Sequence, residues 1–184
     1  MIATAQTMET WTIDPNHTAP QFAVRHLLVA TVRGYFEKIH GTIQMSGTDV
    51  RTIVANVTID VASVTTRVKM RDNDLRSDNF FNVAKYPTMT FVSKKSEPVA
   101  PGRFNLTGDL TLHGVTKEVV LDVEGPTPPL TSGRETRIGA TATTKINRHD
   151  FGLHYNPLVE AAPVVGDDIT ITIDVEATKP TSPQ

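Results

Sequence analysis

From Ile53 to Val61 the chain alternates. Ile53, Ala55, Val57, Ile59 and Val61 share one face, and Asn56, Thr58 and Asp60 share the other. A period of two marks a strand with one buried face. The pattern recurs along the sequence. Glu9–Asp14 puts Trp11 and Ile13 together, and Ala19–His26 sets Phe22 and Val24 against Ala23 and Arg25. Phe104, Leu106, Gly108, Leu110 and Leu112 alternate with Asn105, Thr107, Asp109 and Thr111. Val115, Val119, Leu121 and Val123 follow, then Ile138, Ala140, Ala142 and Thr144 within Arg137–Ile146. Ile169, Ile171, Ile173, Val175 and Ala177 close the series, and Thr88–Lys94 reads as a further strand. Between Val32 and Met45 the phase flips: Val32, Gly34 and Phe36 are followed by Ile39, Gly41, Ile43 and Met45. The flip predicts a bulge or sharp bend near Glu37–Lys38. Gly34 and Gly41 inside such runs predict close backbone approach or barrel corners.

Turn signals separate these runs: Asp14-Pro15-Asn16, Ser46–Asp49, Glu97–Gly102 and His113-Gly114. Leu27–Thr31 reads as an apolar link. Gly125–Gly133, with Pro126, Pro128 and Pro129, reads as a mobile loop, and Asn147–Gly166 as irregular. One stretch breaks the strand pattern. In Arg71–Ala84, Asp72 and Asp74 favour a helix start and Ser77 can cap a second short turn. The adjacent Phe80 and Phe81 point in different directions, and Pro87 ends the helical part. The prediction is a short helical plug near residues 71–84, carrying two aromatic rings across one end of a β structure.

At least eight antiparallel strands with short turns and no βαβ unit leave a sandwich or a closed barrel. Strands of about ten residues, roughly 33 Å, favour the up-and-down barrel. Small residues at inward positions (Gly34, Gly41, Ala55, Gly108, Ala140, Ala142 and Ala177) leave space inside. An eight-stranded barrel is just wide enough to be filled or to hold one small ligand. The reading is an apolar cavity capped by Phe80 and Phe81; the alternative is that the two rings complete a filled core.

Length and charge narrow the picture. A chain of 184 residues reads as one domain, with 1–8 and 179–184 as flexible tails. A formal net charge of −2 argues against nucleic acid as a main partner. The absence of cysteine excludes disulfides, thiolate metal sites and cysteine nucleophiles. Met1–Met8 lacks a basic and an apolar leader region, so the sequence as it stands predicts a cytoplasmic protein. No run reaches the ~18 apolar residues of a membrane span.

The histidines (His17, His26, His40, His113, His149 and His154) show no metal-binding spacing and read as turn or surface residues. The best metal alternative groups His149, Asp150 and His154 on one loop. Asp72-Asn73-Asp74 starts like a calcium loop but has Ser77 at position six and Val83 at position twelve. There is no Gly-X-Ser-X-Gly elbow and no phosphate loop. Arg148 and Asp150 read as a pair that pins a loop; an Arg148 facing the cavity mouth would instead meet a polar head group.

Several stretches together resemble the YceI-like family. They are Gly34-Tyr35-Phe36 with Gly41-Thr42-Ile43, Arg71-Asp72 with Leu75, and Asp78-Asn79-Phe80-Phe81. Further along come Tyr86-Pro87-Thr88-Met89-Thr90-Phe91, Gly108–Thr116 and Ile146–Gly152. The resemblance covers nearly the whole chain. It implies an extended lipocalin-like, eight-stranded antiparallel β-barrel that holds a long isoprenoid chain, with no catalysis and no cofactor. Many members are exported, a point on which the leaderless start of this sequence differs.

The combined reading is a non-enzymatic carrier of a polyisoprenoid or isoprenoid quinone tail. Phe22, Val24, Phe36, Ile43, Phe80, Phe81, Phe91, Leu106, Ala140, Ala142 and Ile171 would line the ligand, with Arg148 as the head-group candidate. A filled barrel acting through protein contact, as a homodimer or with a partner, is the second reading. A small hydrolase using His149 or His154 is the third, and it would need a serine or a metal beside them.

Overall fold

The computed structural model of the chain describes residues 7–159 and 162–181. The strands run β1 (Met8–Ile13), β2 (Ala19–His26), β3 (Ala30–Phe36), β4 (Ile39–Ser46), β5 (Asp49–Asp60) and β6 (Val64–Thr65). The helix α1 (Lys69–Arg76) follows, then β7 (Thr88–Ala100), β8 (Arg103–Leu112), β9 (Val115–Glu124), β10 (Leu130–Ser132) and β11 (Glu135–Asn147). The short β12 (Leu158–Val159) and β13 (Ala162–Pro163) pair with each other before the long β14 (Val165–Pro180).

Two strands of the wall are broken in the middle. β1 and β2 both lie against β14, β1 at Ala177 and Thr178 and β2 from Val165 to Asp174. β3 and β4 continue one another, β3 pairing with β2 and β4 with β1. Counted this way, β1/β2, β3/β4, β5, β7, β8, β9, β11 and β14 close into an eight-stranded antiparallel barrel. The break at Glu37–Lys38 is where the phase flip placed it. There the Glu37 amide donates to the Ser63 carbonyl (3.2 Å) and the Lys38 amide to Ser63 Oγ (3.0 Å). Both donors that leave the ladder are thus satisfied, as buried amides must be.

The wall is not uniform. β11 and β14 share thirteen residue pairs, but β9 and β11 share three, from Thr141↔Glu124 to Thr143↔Asp122. Beyond Thr143 those two strands part. Thr144 Oγ1 bridges the gap to the Val120 carbonyl at 2.8 Å. A shallow cleft runs down the seam between Lys117–Val120 and Thr144–Ile146.

Alternation places the core inside the barrel, in three groups along its axis. Trp11, Met45, Ile138 and Ala177 close one end. Ala55, Phe104, Leu106, Val123 and Ala142 form the middle. Phe36, Ile39, Ile59, Phe151 and Leu153 pack towards the other end, beneath α1 and the turn after it.

The helical plug differs in detail from the sequence reading. The helix starts at Lys69, and Asp72 lies in its first turn rather than at its cap; the cap is Val68, which makes no side-chain bond. The helix ends at Arg76, and hydrogen-bonded turns carry the chain through Phe80 and Phe81 to Tyr86. Asp72 is buried, and its carboxylate accepts from the Thr66 amide (2.7 Å), Thr66 Oγ1 and Thr65 Oγ1 (3.3 Å). Arg76 donates to the carbonyls of Ala62 and Val64. Together these bonds strap the helix to β6. Burial alone would raise the Asp72 carboxyl, but the bonds from Thr66 and Thr65 outweigh it and hold it below the usual carboxylate range.

Four other expectations are corrected. β7 continues past Lys94 to Ala100, because irregularities at Ser93/Lys95 and Pro98/Ala100 absorb the change of register and the proline. Within Gly125–Gly133, Leu130–Ser132 forms β10 against Glu135–Arg137, clear of the three prolines. Leu27–Thr31 is a tight turn leading into β3, with Leu27 and Leu28 at positive φ (49° and 59°). Arg25 secures it by donating to the Leu28 and Val29 carbonyls (2.6 and 3.3 Å). Lys179 and Pro180 belong to β14, and Met8 to β1. Lys179 is fixed by Glu9 (2.7 Å) and by the Trp11 ring below its ammonium (4.6 Å). The remaining tail residues, 1–6 and 182–184, lie outside the described residues.

Candidate binding cavity

The interior encloses a cavity of about 240 Å³. It is built largely by the period of two: Ile138, Ala140, Ala142, Thr144 and Ile146 line it from β11, and Ile169, Ile171, Ile173, Val175 and Ala177 from β14, with Gly139 and Val165 outside the alternation. Phe104, Leu106, Leu110 and Leu112 supply the facing wall from β8. Apart from Gln21, Thr90, Thr144 and Arg148, the described lining is apolar, with no histidine, serine or carboxylate in it. Such a surface holds hydrocarbon and offers no acid–base pair to a reacting group.

All eleven residues expected to face a ligand line this cavity: Phe22, Val24, Phe36, Ile43, Phe80, Phe81, Phe91, Leu106, Ala140, Ala142 and Ile171. Alternation marks the inward face of the nine that lie on strands, while Phe80 and Phe81 reach the cavity from the turns after α1. The two plug rings are not equivalent. Phe81 stands edge-on to Phe36 (5.8 Å between centroids), which in turn meets Phe22 (5.8 Å). Phe80 meets Tyr155 edge-on (5.3 Å), and Tyr155 is exposed. The cavity wall at that point is two rings deep.

The small inward residues divide into two kinds. Ala55, Ala140, Ala142 and Ala177 line the cavity. Gly34, Gly41 and Gly108 do not, because their missing side chains make way for neighbours. A Cβ at Gly34 would sit 2.3 Å from the Phe22 ring, and one at Gly108 2.5 Å from the Val92 carbonyl and 2.6 Å from the Phe91 ring. At Gly41 it would sit 2.2 Å from the Asn56 carbonyl. These glycines fit rings and strands together, so the expectation that they leave empty space is corrected.

Arg148 reaches the cavity edge but is 3% exposed and already engaged. Its Nε donates to Gly166 O (3.1 Å), Nη1 to Leu153 O and Tyr155 O (3.0 Å), and Nη2 to Asp167 (3.1 Å). Four of its five N–H donors are therefore used in pinning the loop to β14. Its carboxylate partner is Asp167, not Asp150.

His149 and His154 meet directly, and the carboxylate beside His149 is again Asp167 rather than Asp150. Their Nδ1 atoms are 2.8 Å apart, and His149 Nε2 lies 2.7 Å from Asp167 Oδ1. The hydrogen bond from His149 is the main cause that holds the Asp167 carboxyl low. Among the described residues, the one group with metal-binding geometry is Asp14, His17 and Glu176. There His17 bonds Asp14 (2.8 Å), and Arg137 pairs with Glu176 beside them. The guanidinium supplies the positive charge that an ion would bring.

Sequence reasoning missed several lining residues. Leu75 sits on α1, Leu153 in the segment after β11 and Val165 at the very start of β14, ahead of its bulge, where no alternation marks a face. Ile13, Pro20 and Val57 follow the period and were legible.

The YceI-like domain model matches residues 11–177. The UPF0312 protein SAS2572 of Staphylococcus aureus (strain MSSA476) is 31% identical over 172 residues, 92% of this chain and 97% of its own. The crystal structure of the Campylobacter jejuni YCEI protein is 34% identical, with a TM-score of 0.71 over 84% of this chain and 89% of that one. A polyisoprenoid binding domain from Saccharophagus degradans shares the fold, with a TM-score of 0.68 at 18% identity, over 91% of this chain and 97% of that one.

Proposed function

This chain belongs to the YceI-like domain family, and from that premise we propose that it is a non-enzymatic carrier of a long, slender apolar ligand, a polyprenyl chain or the tail of an isoprenoid quinone. The shape of the cavity carries the reading. Its lining spans Ile138 to Ile146 on β11 and Ile169 to Ala177 on β14. Each span is roughly 26 Å of strand. Yet the volume is only about 240 Å³. An apolar cavity of about 150 Å³ takes one benzene ring, so this space, drawn out along the barrel, suits a thread of hydrocarbon better than a fused ring system. The relative from Saccharophagus degradans, described as a polyisoprenoid binding domain, has the same fold and points to the same cargo.

The driving force is removal of the chain from water, about 0.8 kcal/mol for each buried methylene. Arg148 has little left to offer a head group, so discrimination falls on the length and width of the chain. Longer chains need the Phe22, Phe81 and Phe91 rings to turn aside.

The test is mass spectrometry of an organic extract of the purified protein, with an unrelated protein of equal size from the same host as control. An isoprenoid near one per chain is the expected result. A clean extract, with no uptake of added polyprenol afterwards, sinks the proposal in favour of a packed barrel that acts through protein contact.

A further inference from the structure

The β2–β3 hairpin and the segment leading into α1 stand side by side at the end of the barrel where Phe22, Leu75 and Phe80 bound the cavity. β6 pairs antiparallel with β3 at Tyr35↔Thr65. The Arg67 guanidinium lies over the Tyr35 ring (5.9 Å), and Thr66 approaches Gly34. Both segments end in exposed apolar side chains. Leu28 is 70% and Val29 82% exposed at the hairpin tip, and Met70 is 82% exposed at the start of α1, next to an exposed Val68.

Charge is segregated here. Residues 15–36 and 61–71 contain Arg25, Arg33, Arg67, Lys69 and Arg71 and no carboxylate. None of these five is ion-paired among the described residues. Elsewhere pairing is commoner: Lys38, Arg51, Lys94, Arg103, Lys145 and Lys179 meet carboxylates, while Lys117 on β9 and Arg134 before β11 have no ion pair among the described residues. Of the acids that follow the two segments, Asp72 is occupied by Thr65 and Thr66 and Asp74 by Asn79, while Glu37, directly after Phe36, is exposed. A net negative protein thus gathers five cations without ion pairs around protruding aliphatic side chains at this end.

We propose that this rim docks on a bilayer containing anionic lipid. The cations meet the lipid phosphates, and Leu28, Val29 and Met70 enter the headgroup boundary. The membrane would then be the place where cargo enters and leaves the cavity, a step that rests on the carrier reading above. Docking itself does not depend on that reading. A protein partner or a second copy of the chain could also cover apolar residues. The cations without carboxylate neighbours favour a surface that is both anionic and apolar.

The test is co-sedimentation with vesicles of phosphatidylcholine alone or mixed with phosphatidylglycerol. Two variants are compared with the wild type: Arg33→Glu with Lys69→Glu, and Val29→Ser with Met70→Ser. The wild type is expected on the mixed vesicles and to be released by high salt. Each cation near an anionic surface is worth about fivefold in partitioning, so the charge variant should lose at least about 25-fold. The serine variant should also lose binding. Uptake of a fluorescent prenyl probe in the absence of vesicles should persist in both variants, which shows that they are folded. Equal binding to neutral vesicles, binding that survives both variants, or self-association through the rim without vesicle binding would overturn the proposal. If the wild type takes up no probe yet sediments with anionic vesicles, the cargo reading falls and the docking surface stands.

Discussion

A methyl group added at Gly41 meets the Asn56 carbonyl of the neighbouring strand, whereas one added at Gly34 meets the free end of the Phe22 ring. Backbone cannot yield and a ring can. Gly41→Ala should therefore cost about 3 kcal/mol and Gly34→Ala about 1 kcal/mol in urea unfolding. In the second variant the displaced ring also narrows the cavity, so ligand uptake should fall more than stability does. Equal losses of stability would contradict this ordering. Asp72 gives a second test. Its carboxyl is held low in the folded protein, so its contribution is complete above the unfolded value of 3.8 and is lost as pH falls through the folded value. Asp72→Asn should lower stability by about 2 kcal/mol at neutral pH and flatten the loss in acid, followed by thermal melting against pH. Alternation announced the inward faces of Phe22, Ala142 and Ile171. The identity of the Asp72 partners was hidden, because it depends on how α1 leans against β6.

Among the elements, the plug is the piece the sequence announced by breaking the pattern, and the piece whose details it gave least well. Two aromatic neighbours after a polar helix predicted a cap over an opening. That Phe81 joins the Phe22–Phe36 stack while Phe80 faces Tyr155 is decided by the loop from Arg148 to Tyr155, far away in sequence. This division predicts distinct phenotypes. Phe80→Ala removes one of the two rings between cavity and solvent, so it should speed ligand release with a small effect on stability. Phe81→Ala removes a ring packed on the core and should cost about 2–3 kcal/mol. Stopped-flow release of a prenyl probe separates the two, and the assignment fails if Phe80→Ala leaves the release rate unchanged. The Glu37–Lys38 break was legible because a change of phase forces one. The length of β7 was not, since its irregularities reset the alternation at Ser93 and Pro98.

For the whole molecule, the closed barrel follows from strand number, strand length and the lack of crossover helices. The cavity needed coordinates, because its size depends on which small residues face rings and which face space. Ala142 faces space from the middle of β11, opposite Val123 on one side and Ile173 on the other. Ala142→Trp should fill the lumen at its waist and abolish uptake of a prenyl probe, while far-ultraviolet circular dichroism still reports a folded barrel. Uptake that survives the change would mean that the chain does not pass Ala142. The joint between β9 and β11 bears on the same dimension. A hoop is only as stiff as its weakest joint, and here one joint holds by three residue pairs and a threonine bridge, against thirteen pairs at the next. The barrel is therefore compliant in girth but not in length. Its circumference can give when a wider cargo arrives, and amides of β9 on the β11 side should exchange with deuterium before those of β14.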